Sequence, residues 1–185
     1  HYQGRIDQRS GRIYRIASAT TAPPANRQTI NLVGLSTTEL LTTLQSPNRW
    51  LRETALRIIG ERRDESDKST EASLRHMLRD PATHFPLDCL WALNAVGGLD
   101  NATSLELLGH IDPFVRLWTV RLLCDERSVT HEIEQCLEAM SATEPNLEVR
   151  SQLACSARRL PPEQALPIVR TLLGRSEDVN DIHLP

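Results

Sequence analysis

The sequence predicts an all-α fold, an α-solenoid in which helical hairpins stack side by side. A short marker recurs at Arg52, Pro86, Arg116 and Arg150, at steps of 34, 30 and 34 residues. Helical patterns flank each copy, and a period of this size is typical of two-helix repeats. Because one hairpin cannot bury its apolar stripe alone, neighbouring hairpins must stack. The low aromatic content, 4%, does not favour a large sheet protein.

The first 28 residues differ from the rest of the chain. Two short β-favouring stretches flank Ser10-Gly11, which predicts a hairpin or an extended strand over residues 1–16. Residues 17–28, with Pro23-Pro24, have the composition of a linker. We therefore divide the chain into a strand-like segment plus linker at 1–28 and a helical repeat domain at 29–185.

The first hairpin has clear start and stop signals. Ser36 with Glu39 three residues later is a capping box, which predicts the start of a helix. Ser46-Pro47 predicts its end, because a residue before proline avoids helical geometry. A second helix is predicted over residues 48–61, with Gly60 close to its end.

The same signals predict the later helices. Pro162 falls in a first helical turn, where the missing N–H of proline costs least. The predicted ranges are about 69–79, 85–96, 101–108, 114–124, 131–140, 147–160 and 161–173. They give four hairpins plus one unpaired helix. Pro185 lies 35 residues after Arg150, so we expect a partner helix to follow in a longer protein.

The charge distribution argues against a general binder of phosphate backbones. The net charge is −3, but residues 1–27 contribute +4 through five arginines and one aspartate, which leaves −7 for the repeat region. Lys68 is the only lysine, and clustered cations supply most nucleic-acid affinity. The chain has no apolar run long enough to span a membrane, so no direct membrane insertion is predicted.

No motif indicates catalysis, a metal or a cofactor. The cysteines form no C-x-x-C pair and no haem-attachment motif, so we interpret them as reduced thiols, with a disulfide or metal cluster as the alternative. The histidines are scattered, whereas a metal needs converging ligands. No G-x-S-x-G and no glycine-rich phosphate loop is present. A small-molecule ligand is not indicated. The residues concerned are Cys89, Cys124, Cys136, Cys155, His76, His84, His110, His131 and His183.

The marker resembles that of HEAT repeats, in which Pro-x-x-Val-Arg opens the second helix of a pair. Pro113-Phe114-Val115-Arg116 carries it, and weaker copies are Pro47 with Leu51-Arg52, and Val149-Arg150. More specifically, the chain resembles the helical middle region of multidomain planctomycete-type proteins described as membrane-bound dehydrogenases or haem-binding proteins. The motifs behind this second resemblance are Arg9–Ile16, Leu44–Arg52, Leu90–Leu93 and Asp181–Pro185.

The resemblance implies a right-handed α–α superhelix. It also implies that residues 1–28 end a β-propeller oxidoreductase domain, that a cytochrome c domain with haem follows, and that the parent protein is extracytoplasmic. This chain holds neither the propeller nor a haem-attachment motif, so no oxidation and no haem chemistry is assigned to it.

We interpret Arg52, Arg116 and Arg150 as a structural ladder, because this arginine commonly joins neighbouring units in HEAT-like stacks. Asp112, one helical turn before Arg116, is the expected partner. The alternative is an arginine row that faces a ligand. Pro86 interrupts such a row.

The tryptophans Trp50, Trp91 and Trp118 all lie on second helices of hairpins, which line the inner surface of such stacks. Aligned on the marker, Trp91 matches Arg57 and Arg121 while Trp118 does not. We therefore expect the tryptophans to project at different angles and mostly to pack between units. Some are expected to be partly exposed beside the two arginines, as anchors of a protein interface.

The resulting hypothesis is a non-catalytic scaffold, with Arg57, Trp91 and Arg121 as contact residues for a protein partner. It would link the propeller to the cytochrome domain or recruit another protein. One alternative is a DNA-binding module similar to HEAT-like alkylpurine glycosylases, although the acidic repeat region opposes nucleic acid. Another alternative is an enzyme similar to bilin lyases, for which no nucleophile or acid–base pair is present.

Overall fold

The computed structural model describes residues 30–63 and 68–179, which form α-helices and no strand. All the helices belong to a compact unit that begins at Leu32. Their bounds are α1 Thr37–Thr43, α2 Arg49–Glu61, α3 Lys68–Arg79, α4 Pro86–Ala95, α5 Asn101–Leu108, α6 Pro113–Asp125, α7 His131–Thr143, α8 Leu147–Ala157 and α9 Pro162–Leu173. The all-α prediction is confirmed for these residues, while the expected strand-like segment and linker lie outside them.

Polar caps fix where the helices begin. The Ser36 hydroxyl accepts the Glu39 amide, and the Glu39 carboxylate accepts the Ser36 amide at 2.7 Å, so the predicted capping box is present. Asn48, Asp112 and Asn146 cap α2, α6 and α8 by accepting the amide of the second helical residue.

Helix α4 starts and ends in another way. It follows Phe85, which makes no side-chain cap, and Pro86 is its first residue. Its end is marked by Gly97, whose φ of +81° lies in the left-handed region that glycine adopts without strain. Proline at the start and glycine past the end follow the usual asymmetry of helix termini.

The helices pack in two alternating sets. Within a hairpin, α1 packs on α2, α3 on α4, α5 on α6 and α7 on α8. Between hairpins, the even-numbered helices pack in sequence, α2 on α4, α4 on α6 and α6 on α8. Odd-numbered helices also pack on one another, as in α1 on α3, α5 on α7 and α7 on α9, and α9 packs on α8 as well.

Aliphatic side chains fill the space between the sets. One buried cluster extends from Leu32 to Val115 and a second from Leu108 to Leu172. Fully buried leucines such as Leu40, Leu74 and Leu137 contribute about 1.5–3 kcal/mol each. Each cluster contains side chains from more than one hairpin, so the hairpins share their apolar cores.

Candidate functional site

The four hairpins share a register that the helix caps define. Arg52, Arg116 and Arg150 are each the fourth residue of α2, α6 and α8. In α4 the fourth residue is Cys89, and Pro86 is the first. The alignment of Pro86 with the three arginines was therefore wrong by three residues. The sequence marker failed here because α4 lacks a polar cap and has Cys89 where the other three helices have arginine.

Five turns follow the odd-numbered helices, and we number them in chain order. They are turn 1 at residues 44–48, turn 2 at 80–85, turn 3 at 109–112, turn 4 at 144–146 and turn 5 at 174–178. Turns 1 to 4 connect the two helices of a hairpin, and turn 5 follows α9. We use these names for the contacts between successive hairpins.

Arg116 joins turn 3 to turn 4. Its Nε and Nη2 donate to the two carboxylate oxygens of Glu144 at 2.9 and 2.6 Å. Its Nη1 donates to the carbonyls of His110 and Ile111 at 2.7 and 3.2 Å. The Arg116 side chain is 13% exposed and that of Glu144 only 4%, so this is a buried, two-point ion pair.

Arg150 repeats this geometry between turn 4 and turn 5. Its Nε donates to Asp178 at 2.8 Å, and its Nη2 bonds the other carboxylate oxygen. Its Nη1 donates to the carbonyls of Glu144 and Pro145 at 3.0 and 2.9 Å. Glu144 therefore accepts from Arg116 through its side chain and from Arg150 through its backbone, which links the two ion pairs into one chain.

Asp112 does not take part as expected. Its carboxylate accepts the Phe114 amide at 2.8 Å and caps α6. The residue that binds Arg116 is Glu144, which lies 28 residues further along, two residues before the cap of α8. Sequence analysis missed both Glu144 and Asp178. The equal spacing of 28 from Arg116 and from Arg150 is the signal that identifies them.

Arg52 is held less tightly, between turn 1 and α4. It donates through Nε to Asp88 at 3.2 Å and through Nη1 to the Ser46 carbonyl at 2.9 Å. Its Cζ also lies 3.7 Å from the centre of the Phe85 ring. The carboxylate comes from inside helix α4 instead of the turn, because Thr83 occupies the position equivalent to Glu144.

The acceptor carboxylates differ in pKa. Burial would raise the pKa of Glu144, but hydrogen bonds from Arg116 and the Asn146 amide, together with both arginine charges, lower it overall. The hydrogen bond from Arg150 lowers the pKa of Asp178. Burial raises the pKa of Asp88, and the charge of Arg52 offsets this only in part.

Turns 2 and 3 are the pair that no ladder arginine joins. Cys89 occupies the arginine position, and its Sγ accepts a bond from Gln45 Nε2 at 3.3 Å. His110 occupies the position of Glu144, and its Nε2 donates to the Leu78 carbonyl at 3.0 Å. Between the two turns lies a cavity of about 530 Å³, which we call the turn 2–turn 3 cleft. Its lining residues are Leu78, Arg79, Asp80, Pro81, Thr83, His84, Pro86, Glu106, Leu107, Gly109, His110, Ile111 and Asp112.

A second surface is formed by the second, sixth and ninth residues of the even-numbered helices, which share one helical face. We call it the even-helix face, and no side chain on it is buried. Its members are Trp50, Thr54 and Arg57 on α2, Leu87, Trp91 and Asn94 on α4, Phe114, Trp118 and Arg121 on α6, and Glu148, Gln152 and Cys155 on α8.

The tryptophans on this face are paired. Trp91 and Trp118 are both sixth residues, and their rings meet edge to face with centroids 5.0 Å apart and an interplanar angle of 84°. The expectation that they project at different angles was wrong, because it used the misaligned marker. Trp91 Nε1 is buried without a hydrogen-bond partner, while the guanidinium of Arg121 lies 5.0 Å from the Trp118 ring centre.

Other members of the even-helix face are open to solvent. Trp50 is 55% exposed and Phe114 54%, both on the first turn of their helices. Arg57 is exposed and pairs with Glu61 on its own helix. The predicted contact residues Trp91 and Arg121 are thus joined through Trp118, whereas Arg57 lies on α2 at the same helical position as Arg121.

The cysteines and possible metal ligands of the described residues are not brought together. The four cysteines are free, and burial raises the pKa of Cys89 to about 12 and that of Cys124 to about 11. In the same residues, no group of three or more histidine, cysteine or acidic side chains is arranged to hold a metal ion. None of the described helices combines the length and apolar character needed to cross a membrane.

Comparison with protein-family models, with curated proteins and with solved structures finds no match to this chain.

Proposed function

We propose that residues 29–185 form a HEAT-like α-solenoid that acts as a non-catalytic scaffold and docks another protein on the even-helix face. The solenoid is supported by the packing of each even-numbered helix on the next and by the repeated arginine geometry. The arginine ladder joins neighbouring hairpins and so favours their stacking. Stacked repeats present extended surfaces for binding.

The exposure of large aromatic side chains is the single observation that carries the docking proposal. Trp50 and Phe114 are more than half exposed on the first turns of α2 and α6, although each offers a large apolar area. On the same even-helix face, Trp91 and Trp118 form an edge-to-face pair, and the Arg121 guanidinium lies beside the Trp118 ring. Tryptophan and arginine together are the residue types that anchor protein interfaces.

The charges around this face favour a protein partner over a nucleic acid. Arg57 pairs with Glu61, and Arg159, two residues after the end of α8, pairs with Asp125 at the end of α6. Such internal neutralisation leaves few free cations for a phosphate backbone, whose binding depends on them. The resemblance noted above makes a propeller oxidoreductase domain or a cytochrome c domain the partner we propose first.

A photocrosslinking experiment tests the proposal. A benzophenone amino acid is placed at Arg57, at Arg121 and, as a control, at Glu132, which is exposed on α7. We expect positions 57 and 121 to capture the same protein, the control position to capture none, and Trp118→Ala to reduce the yield at least tenfold. Identical products from all three positions would contradict docking on this face, and a salt-sensitive shift of a DNA probe would favour the nucleic-acid alternative.

A further inference from the structure

The turn 2–turn 3 cleft lies where a ladder arginine and its carboxylate would meet in the other hairpins. Arg116 donates to the carbonyls of the residues six and five positions before it. It also donates to the side chain of Glu144, which lies two residues before the cap of the next even-numbered helix. Counted from Cys89, these positions are Thr83, His84 and His110, and all three line the cleft. The short Cys89 side chain is fully buried and instead bonds Gln45.

The backbone carbonyls of Thr83 and His84 therefore correspond to carbonyls that accept hydrogen bonds from an arginine in the other turns. The equivalent carbonyls in turns 1, 3 and 4 accept from Nη1 of Arg52, Arg116 and Arg150. No described residue donates a hydrogen bond to the Thr83 or His84 carbonyl. These carbonyls can therefore accept hydrogen bonds from a ligand, and hydrogen bonds from a charged donor are the stronger kind.

The charge of the cleft favours a cation. Arg79 binds Glu106 through two bonds of 2.6 Å, and these hydrogen bonds lower the pKa of Glu106, so this pair is neutral as a whole. Asp80 and Asp112 also line the cleft, and among the described residues their carboxylates accept the Ala82 and Phe114 amides but form no ion pair. Two carboxylates thus line the same cleft as Thr83 and His84.

We propose that the turn 2–turn 3 cleft binds a guanidinium group carried on an alkyl chain, the chemistry of an arginine side chain. A planar guanidinium has five donors in a fixed fork, and the residues that line the cleft offer it backbone carbonyls and carboxylates as acceptors. Leu78, Leu107 and Ile111 supply apolar surface for the methylene groups. The volume of about 530 Å³ lies within the range of ligand pockets.

The test is an NMR titration of the 15N-labelled chain with acetylated arginine amide, with a Gly-Arg-Gly peptide blocked at both ends, and with matched citrulline and lysine compounds. We expect saturable shifts of the Thr83, His84 and Ile111 amides with the arginine compounds. The neutral citrulline and the lysine compounds should bind at least tenfold more weakly, since the first lacks the charge and the second the planar fork.

Two variants locate the site. Asp80→Asn keeps a side-chain oxygen that can accept the Ala82 amide but removes the charge, and we expect binding about tenfold weaker. Glu132→Gln removes a charge at an exposed position of α7 and is the matched control. This variant should bind the arginine compounds as tightly as the unchanged chain does. Cys89→Arg supplies a guanidinium from within the chain and should abolish binding, whereas Cys155→Arg at an exposed position should not.

Each outcome decides the proposal. Equal binding of citrulline and arginine compounds, shifts that map elsewhere, or an unchanged affinity in Asp80→Asn would overturn it. If Cys89→Arg does not fold, the Asp80→Asn variant still tests the proposal. If the peptide binds more than tenfold tighter than the single amino acid, the guanidinium comes from a partner polypeptide. Equal affinities identify a free guanidinium compound as the ligand.

Discussion

Two junctions between neighbouring turns differ although the helices around both of them pack. An arginine bridges the turns at one junction, and a cavity separates them at the other. Between turns 3 and 4, Arg116 bridges a buried carboxylate and two backbone carbonyls. Between turns 2 and 3, the equivalent positions hold Cys89 and His110, and a cavity remains. The helices around both junctions still pack, α6 on α8 and α4 on α6. Helix packing is therefore present with and without a bridging arginine, and we propose that the arginines determine how tightly the turns are joined.

The junction between turns 1 and 2 is intermediate. Arg52 is present, but a single hydrogen bond of 3.2 Å joins it to Asp88. Gln45 adds a second link, because its Oε1 accepts the His84 amide at 3.0 Å. The three junctions thus form a series from two-point pairing through one-point pairing to an open cleft, and mutations can test that series.

The largest effect is expected from Arg116→Met. This change leaves Glu144 buried without its partner, so the free energy of unfolding should fall by about 3–5 kcal/mol. Urea denaturation measures the loss. Arg121→Met is the matched control on the same helix, and because Arg121 is exposed it should change stability by no more than about 0.5 kcal/mol. Similar losses in both variants would remove the distinction between ladder and surface arginines.

A smaller loss is expected from Arg52→Met. Asp88, whose pKa burial already raises, can take up a proton when the arginine is removed. We expect a loss of about 1.5–3 kcal/mol in the same urea assay, the range for a hydrogen bond to a charged group. A loss as large as that of Arg116→Met would show that one-point and two-point pairing stabilise the turns equally.

The acid dependence of stability should differ in sign between the two acceptor carboxylates. The folded pKa of Glu144 lies below its ordinary value of 4.5, so its contribution is present above that value and is lost as pH falls through the folded pKa. The folded pKa of Asp88 lies above 3.8, so its contribution instead increases as pH falls through that raised pKa. Glu144→Gln should therefore flatten the acid loss of stability, and Asp88→Asn should steepen it, in urea titrations from about pH 7 to about pH 3. Parallel profiles for the two variants would contradict the pKa assignment.

The smallest effect is expected on the even-helix face. Arg57→Ala removes an exposed pair with Glu61, and such pairs contribute about 0.5 kcal/mol or less. Thermal denaturation of this variant should be almost unchanged. A large loss would show that the face is part of the packed core and unsuited to docking.

The sequence predicted the local features of the fold better than the contacts between hairpins. Ser36 with Glu39 marked a helix start because a cap depends on neighbouring residues alone. Glu144 was missed because its ion pair with Arg116 depends on the position of one hairpin relative to the next, which the local sequence does not specify. The Trp91–Trp118 contact was missed for a related reason, since α4 lacks the polar cap that aligns the other even-numbered helices.

The central claim is that buried arginine–carboxylate pairs couple turns that are otherwise only packed. Double-mutant cycles measure that coupling for Arg116 with Glu144 and for Arg79 with Glu106, an exposed pair beside the open cleft. We predict a coupling of about 2–3 kcal/mol for the Arg116–Glu144 pair. The coupling of the exposed pair should be several-fold smaller, since solvent screens it. Equal couplings in the two cycles would contradict the account.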